Sequence, residues 1–503
     1  MRAMNLRQKT ARSFIWCTAR SGIEQGFSFV IFLFLGRLLT PDDFGLVALA
    51  AGIVEVLRLL SWVGLYEAVI RVPQLDEAAA DSAFWTSVTL GAVLAAGVVL
   101  AAPAVAAFFA QPALKSVIRV MSLIVVVSAL GIVHTGRLAR NFGHKALAMR
   151  ALAANFAGGL AAMAVILAGG GMWALVAQRL AAEAIQTVAA WTALPWVPRF
   201  RFSPAAVRHM AGFCARVTVA NLVNGANMRV QEALVGTYLP IAAVGSLRVA
   251  GRLTELFQQL VFMPANQVSM VTFSRLQEDR SSLQRAYVQA IRLSGLVAFP
   301  CFLALAATGP DLVPWLFGSQ WRASAPILQA LCLGVAPTTL LYFMAPVQVA
   351  VGRTGTFAWF SVFHLGLAAA ATVAFAPFGI VAVGVGLTLR AWILMPVILF
   401  LLKRDAGIRP MAVLFAMAPS FAGAVVAALP VLALGHWLRG GLPTPLLIVI
   451  ELAVYGIAYC AAMLGAAHDF LCEAAVALMP LMPSGMQTVV GRLLDLDPAS
   501  AGS

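Results

Sequence analysis

The chain is 503 residues long, 61% hydrophobic and only 11% charged, with a mean hydropathy of +0.91. A soluble domain carries about 25% charged residues, and so little charge cannot cover the surface of so apolar a chain, which excludes a water-soluble globule. The net charge of +14 comes from 34 Lys plus Arg against 20 Asp plus Glu, and the bases lie mostly in short loops between apolar runs, as topology signals do and nucleic-acid surfaces do not.

Apolar runs near 20 residues long suit helices that rise 1.5 Å per residue across a hydrocarbon core of roughly 30 Å. None alternates in polarity as a barrel strand would. The pattern predicts an all-α polytopic membrane protein with about 14 transmembrane helices. After a cytoplasmic N-terminus at 1–13, the first span covers 14–36; Arg20 and Glu24 interrupt it and no small-residue cleavage site follows, so it reads as a retained helix and not a signal peptide. The next five spans are 44–70, 83–109, 115–134, 147–168 and 172–194, completing an N-terminal six-helix bundle over 14–194. A cytoplasmic linker at 195–209 leads to a C-terminal six-helix bundle over 210–402, with spans 210–237, 242–272, 286–308, 324–346, 357–376 and 379–402. Two extra spans, 411–436 and 444–466, precede a cytoplasmic tail at 467–503. Turn signals separate these runs: Thr40-Pro41-Asp42-Asp43, Gln111-Pro112, Gly169-Gly170-Gly171, Leu239-Pro240, Gly309-Pro310-Asp311 and Gly440-Gly441-Leu442-Pro443.

With the N-terminus in the cytoplasm, 21 bases fall on the cytoplasmic side and only Arg37, Lys115, Arg322 and Arg439 on the other. That asymmetry places both termini inside, as an even number of spans requires. The longest outer loop, 309–323, is 15 residues, too short for a catalytic domain. The six cysteines include no Cys-x-x-Cys pair and the six histidines no metal spacing, so neither a metal site nor a cofactor is expected.

A shift of 200 residues aligns Gly36, Leu39, Gly45, Ala50, Glu55 and Leu60 with Gly236, Leu239, Gly245, Ala250, Glu255 and Leu260. An even number of spans lies between the two segments, so the repeat is parallel and predicts two pseudo-symmetric bundles around a central cavity.

A lone charge at the bilayer centre costs about 2.5–3.5 kcal/mol even on the lenient insertion scale, and the repeated helices keep many. The first carries Arg20 and Glu24, the second Glu55 and Arg58. The seventh carries Arg216, Asn221, Asn224, Asn227, Arg229, Gln231 and Glu232, the eighth Arg248, Arg252, Glu255, Gln259 and Asn266. At about 100° per residue, Arg248, Arg252, Glu255, Gln259 and Asn266 fall in a wedge of roughly 60°, and Arg216, Asn224, Asn227 and Gln231 in one of roughly 80°; such stripes must face another helix or water. Six arginines against Glu24, Glu55, Glu232 and Glu255 leave a sum of +2, so an anionic guest is favoured, and the planar guanidinium fork suits phosphate oxygens. Arg179 and Glu183 in the sixth span and Arg390 in the twelfth read as isolated, structural charges.

Gly36-Arg37-Leu38-Leu39-Thr40-Pro41-Asp42-Asp43-Phe44-Gly45-Leu46-Val47-Ala48-Leu49-Ala50 resembles the first outer loop and second helix of bacterial polysaccharide flippases of the Wzx type, in the polysaccharide-transport branch of the multidrug/oligosaccharidyl-lipid/polysaccharide exporter superfamily. So do Asp76-Glu77 through Ala83-Phe84-Trp85 and the helix start at Trp173-Ala174-Leu175-Val176. The likeness is best over the first 200 residues. It implies a non-enzymatic transporter of the bacterial inner membrane that moves an anionic undecaprenyl-pyrophosphate-linked oligosaccharide to the outer leaflet by alternating access, with proton or sodium coupling and a polysaccharide polymerase as partner. Arg20, Arg58, Arg216, Asn224, Asn227, Arg229, Gln231, Arg248, Arg252 and Gln259 match the cavity role by location, and Glu24, Glu55, Glu232 and Glu255 the coupling role. A multidrug or cation antiporter, a peptidoglycan-precursor flippase and, further off, a membrane glycosyltransferase or polymerase are the alternatives. An antiporter would want a net acidic cavity, and a polymerase a larger loop domain.

Overall fold

The computed structural model describes residues 25–62, 64–71, 76–140, 144–438, 441–466 and 470; Arg20, Glu24 and nearly all of the tail at 467–503 lie outside them. The helices are α1 (Gln25–Leu38), α2 (Pro41–Trp62), α3 (Leu65–Arg71), α4 (Glu77–Phe108), α5 (Pro112–Met121), α6 (Leu123–Arg140), α7 (His144–Leu167), α8 (Trp173–Ala193), α9 (Pro204–Tyr238), α10 (Ile241–Arg275), α11 (Arg280–Phe317), α12 (Ser324–Cys332), α13 (Val335–Ala350), α14 (Thr354–Phe375), α15 (Ile380–Ala406), α16 (Pro410–Leu438) and α17 (Thr444–Ala466). No strand occurs among the described residues. Among the described residues each predicted span falls on one of these helices or on a broken pair of them, the first only through its part at 25–36, so the all-α, multi-pass reading stands. Nine are long and apolar enough to cross a membrane among the described residues, ten with the pair α12 and α13. The others are α1, described over a short stretch, and the more polar α8, α9 and α10.

Two compact units make up the chain. One ends at Val249 and regains Ser361–Val383; the other holds Ala250–Phe360 and resumes at Gly384. Several ends are fixed by side-chain caps. Asp43 accepts from the Thr40 amide at 3.0 Å while the Asp43 amide donates to Thr40 Oγ1 at 3.2 Å, a capping box that opens α2. Asp279 caps α11 through the Ser281 and Ser282 amides, and hydrogen bonds from Ser282 and Ser281 hold its carboxyl well below the usual range.

In the first unit the repeat is visible as a reciprocal contact. A Cβ on Gly45 would overlap the Ile241 carbonyl, and a Cβ on Gly245 the Pro41 carbonyl. The starts of α2 and α10 cross backbone to backbone at residues that the 200-residue shift pairs. The same unit holds the segment before α9. His134 stacks on Trp191 with centroids 4.3 Å apart, and the Trp196 carbonyl lies 2.9 Å from His134 Nε2. Trp196 Nε1 donates to Glu77 at 2.7 Å, and Trp85 Nε1 donates to the Arg199 carbonyl at 2.9 Å. The stretch expected as a linker is thus fastened to α4 and α6, and α9 begins within it, at Pro204, capped by Ser203.

The second unit corrects one prediction. Gly309-Pro310-Asp311 is not a turn: α11 runs through it to Phe317, and the connection shortens to residues 318–323, where Gly318 takes φ +103°. A helix-interior proline removes the N–H that would bond the carbonyl four residues earlier, and in a membrane the freed group must find another partner. Pro310 frees the Ala306 carbonyl, and Gln329 Nε2 of α12 donates to it at 3.0 Å. Pro300 frees Leu296, which accepts from Tyr459 Oη of α17 at 3.1 Å. Pro346 frees Tyr342, which accepts from Asn266 Nδ2 of α10 at 2.6 Å. At the 58° bend between α12 and α13, Trp392 Nε1 donates to the Leu333 carbonyl that Pro337 leaves open, at 3.1 Å. Pro310, Pro300, Pro346 and the bend before α13 are thus each accompanied by a cross-helix hydrogen bond.

Asn266→Leu leaves the Tyr342 carbonyl unpaired at a cost of about 1–3 kcal/mol. Pro346→Ala restores the intrahelical bond, so the same change in that background costs much less. Thermal melts of the four proteins in detergent give the coupling; additive losses would rule this pairing out.

Candidate functional site

The charges that sequence places inside the membrane gather most densely in the first unit. On α2, Arg58 grips Glu55 with both edges of its fork, Nη2 to Oε1 at 2.6 Å and Nε to Oε2 at 3.0 Å, and its guanidinium lies 4.8 Å from the Trp62 ring centroid. On α9, Arg229 Nη1 donates to Glu232 Oε2 at 3.0 Å. Arg248, in the first turns of α10, brings Nη1 to 3.7 Å from the other oxygen of Glu232. The Glu232 side chain is 1% exposed, so one buried carboxylate faces two guanidiniums from two helices. Oε2 accepts from Arg229, while among the described residues Oε1 has only the longer ionic contact to Arg248, whose Nη1 donates to Met228 Sδ at 3.1 Å. Gly52 of α2 faces the Arg229 stem, where a Cβ would sit in ordinary van der Waals contact, 3.5 Å from Arg229 Cδ.

Arg179 and Glu183 are not isolated. Arg179 of α8 interacts electrostatically with Arg248, Arg229, Glu232 and Glu55, and Glu183 with Arg58, Glu55 and Arg150. Arg150 also donates to Thr135 Oγ1. Among the described residues Arg179 forms no hydrogen bond or ion pair. Helices α2, α8, α9 and α10 thus bring together Arg58, Arg179, Arg229 and Arg248 with Glu55, Glu183 and Glu232, four cations against three carboxylates, with Arg150 at the edge. The signal for α8 was present in the sequence, a charged pair at i,i+4 within an apolar span, as costly as those that were counted.

Asn227 accepts from Gln231 Nε2 at 2.8 Å and places Nδ2 3.4 Å from His364 Nδ1 of α14. Asn221 donates to Glu67 of α3 at 3.1 Å. Arg216 is exposed on the first half of α9. The side chain of Asn224 lies outside the description. In the second unit, Arg252 Nη1 is 3.6 Å from Glu255 Oε2, and the buried Oε1 of Gln259 has no hydrogen-bond partner among the described residues. Asn266, which the helical wheel puts on the same stripe, is committed to the Tyr342 carbonyl.

Next to the Arg229–Glu232 pair, α2 and α9 leave an open cavity of about 310 Å3, lined by Ala48, Leu49, Gly52, Ile53, Val56, Leu57, Phe109, Arg229, Val230, Glu232 and Ala233. The site combines an arginine-rich cluster, suited to phosphate oxygens, with an adjoining apolar slot.

Residues 34–326 match the family profile described as polysaccharide biosynthesis protein. The chain is 24% identical over 336 residues to the succinoglycan biosynthesis transport protein ExoT of Rhizobium meliloti (strain 1021), covering 67% of this chain and 68% of that one. It is 22% identical over 336 residues to the lipopolysaccharide biosynthesis protein WzxC of Escherichia coli (strain K12), covering 66% and 68%. Among solved structures it resembles the lipid II flippase MurJ in an inward closed conformation, with a TM-score of 0.70 at 14% identity over 88% of this chain and 97% of that one; the likeness is one of fold.

Burial orders the ion pairs energetically. Glu232→Ala strands two mostly enclosed guanidiniums, 20% and 16% exposed, and costs about 3–5 kcal/mol. Glu55 is 31% exposed, so Glu55→Ala costs less. Melting curves of the two purified variants report the difference, and equal losses would show that burial does not set the order.

Proposed function

Because the chain belongs to the polysaccharide biosynthesis protein family, we propose that it is a flippase that moves an undecaprenyl-pyrophosphate-linked oligosaccharide from the inner to the outer leaflet of the bacterial inner membrane. The observation that carries this reading is the arginine excess on α2, α8, α9 and α10. An unneutralised guanidinium within the membrane is costly, and a pyrophosphate group supplies the missing negative charge. The fold likeness to a lipid II flippase supports a lipid substrate, and the likeness to ExoT supports transport in polysaccharide biosynthesis.

In this reading Arg20, Arg58, Arg216, Arg229, Arg248 and Arg252 meet the pyrophosphate, while Asn224, Asn227, Gln231 and Gln259 offer amide donors and acceptors to the sugars. Bundles over 14–194 and 210–402 rock in alternating access, both termini are cytoplasmic, and a polysaccharide polymerase receives the product. The substrate neutralises arginines as it enters, and the carboxylates Glu24, Glu55, Glu232 and Glu255 compete for the same guanidiniums once it leaves. Protonating such a carboxylate weakens its hold on its arginine, which frees that arginine for substrate and couples a proton or sodium gradient to loading. The excess of arginine argues against a cation antiporter, which would present net negative charge to its cargo.

Arg248→Ala abolishes polysaccharide export at unchanged membrane abundance, and so does Arg252→Ala. Arg248→Lys, which keeps the charge without the fork, gives an intermediate rate. Wild-type export from the alanine variants would remove these residues from the site. In vesicles, translocation of the lipid-linked repeat unit accelerates several-fold with an imposed pH or sodium gradient; a rate indifferent to both would end the coupling role of the glutamates.

A further inference from the structure

The slot between α2 and α9 lies beside the arginine cluster and has apolar walls, with Arg229 and Glu232 its only charged lining residues. We propose that it is a seat for the head-proximal isoprene units of a single-chain prenyl pyrophosphate, with Arg179 as the head-group anchor. The inference rests on the flippase reading and adds to it the place of the lipid tail and a residue on α8.

Three observations converge. Ile53, Val56 and Val230 give the slot branched apolar walls, and Gly52 lines it without a side chain. Its volume of about 310 Å3 sits at the lower end of small-molecule sites, roughly 300–1,000 Å3. That accommodates one short hydrocarbon segment, not the paired chains of a phospholipid. At the charged end, Arg229 and Arg248 converge on a single buried carboxylate, and Arg179 stands within electrostatic reach of all three without a hydrogen bond or ion pair of its own among the described residues. A free inorganic anion would gain nothing from the slot, and a neutral prenol would gain nothing from Arg179. A prenyl pyrophosphate uses both, and its tail leaves the cluster toward Phe109 along α2 and α9.

The test uses the purified full chain in phosphatidylcholine nanodiscs and measures binding of farnesyl pyrophosphate, inorganic pyrophosphate, farnesol and phosphatidylglycerol. Farnesyl pyrophosphate binds the wild type at least about tenfold tighter than pyrophosphate, since each buried methylene contributes about 0.8 kcal/mol. Val56→Phe and, independently, Ala233→Leu fill the slot and abolish that advantage, and melting curves confirm that each variant is folded. Arg179→Gln weakens both pyrophosphate ligands about tenfold and leaves farnesol unchanged. If farnesyl pyrophosphate and pyrophosphate bind alike, or if neither filled variant alters their ratio, the slot is not a tail seat, while pyrophosphate binding, and with it the flippase reading, stands. If phosphatidylglycerol displaces farnesyl pyrophosphate at equal concentration, the slot is an ordinary lipid site and the proposal fails. If Arg179→Gln binds as the wild type does, α8 supplies no anchor. Failure of the wild type to bind pyrophosphate at all would instead count against the flippase reading.

Discussion

A buried carboxylate that holds two guanidiniums is the interaction on which the first unit depends. Glu232 is almost wholly enclosed, and its two oxygens face Arg229 from its own helix and Arg248 from the next. Without it, two cations would stand close together at membrane depth, where Coulomb repulsion is far stronger than in water. With it, the start of α10 is tied to α9 close to where Gly45 and Gly245 bring α2 and α10 into backbone contact. Close packing and charge pairing thus fix the same helices, and α2, α9 and α10 become one frame on which further charge can be mounted.

The second unit answers the same constraint for the backbone. Prolines in α11 and α13 free carbonyls that lipid cannot hydrate, and a polar side chain from another helix meets each of four. The exchange turns a local defect into a tertiary tie: an ordinary helical bond holds one helix to itself, whereas Gln329, Tyr459, Asn266 and Trp392 each hold two elements together. It also explains polar residues that would otherwise suggest a pathway, Asn266 above all.

Reading the sequence placed each apolar run on a helix or a broken pair of helices among the described residues, of which nine, or ten with the pair α12 and α13, are long and apolar enough to cross a membrane, because apolar run length is a strong, local signal. It misread Gly309-Pro310-Asp311, because that tripeptide is a turn signal wherever water can receive the freed carbonyl, and the compensating Gln329 lies beyond the supposed loop. The breaks near Gly64, Ser122 and Gly334 were equally silent: a short interruption leaves the hydropathy of a span unchanged. At the site, the i,i+3 pairs of Glu55 with Arg58 and Arg229 with Glu232 were legible from spacing alone. The link from Glu232 to Arg248 was not, since it crosses between helices. Arg179 and Glu183 were set aside because one pair makes no stripe on a helical wheel; only the packing of α8 shows what they adjoin.

The distinction between answered and unanswered charge separates architecture from function in this molecule. Polar groups that have partners of fixed geometry, such as Asn266 on its carbonyl or Arg137 on Glu77 at 2.7 Å, hold the fold, and nothing is gained by their meeting a ligand. The cluster on α2, α8, α9 and α10 differs in having more guanidiniums than carboxylates and one, Arg179, with no bonded partner among the described residues. On the flippase reading, an anion answers this remaining charge. Because Glu55 and Glu232 each already hold an arginine, an anion entering as the flippase reading proposes must compete with groups in place. That competition keeps binding from becoming too tight for release, which a carrier needs and a structural ion pair does not.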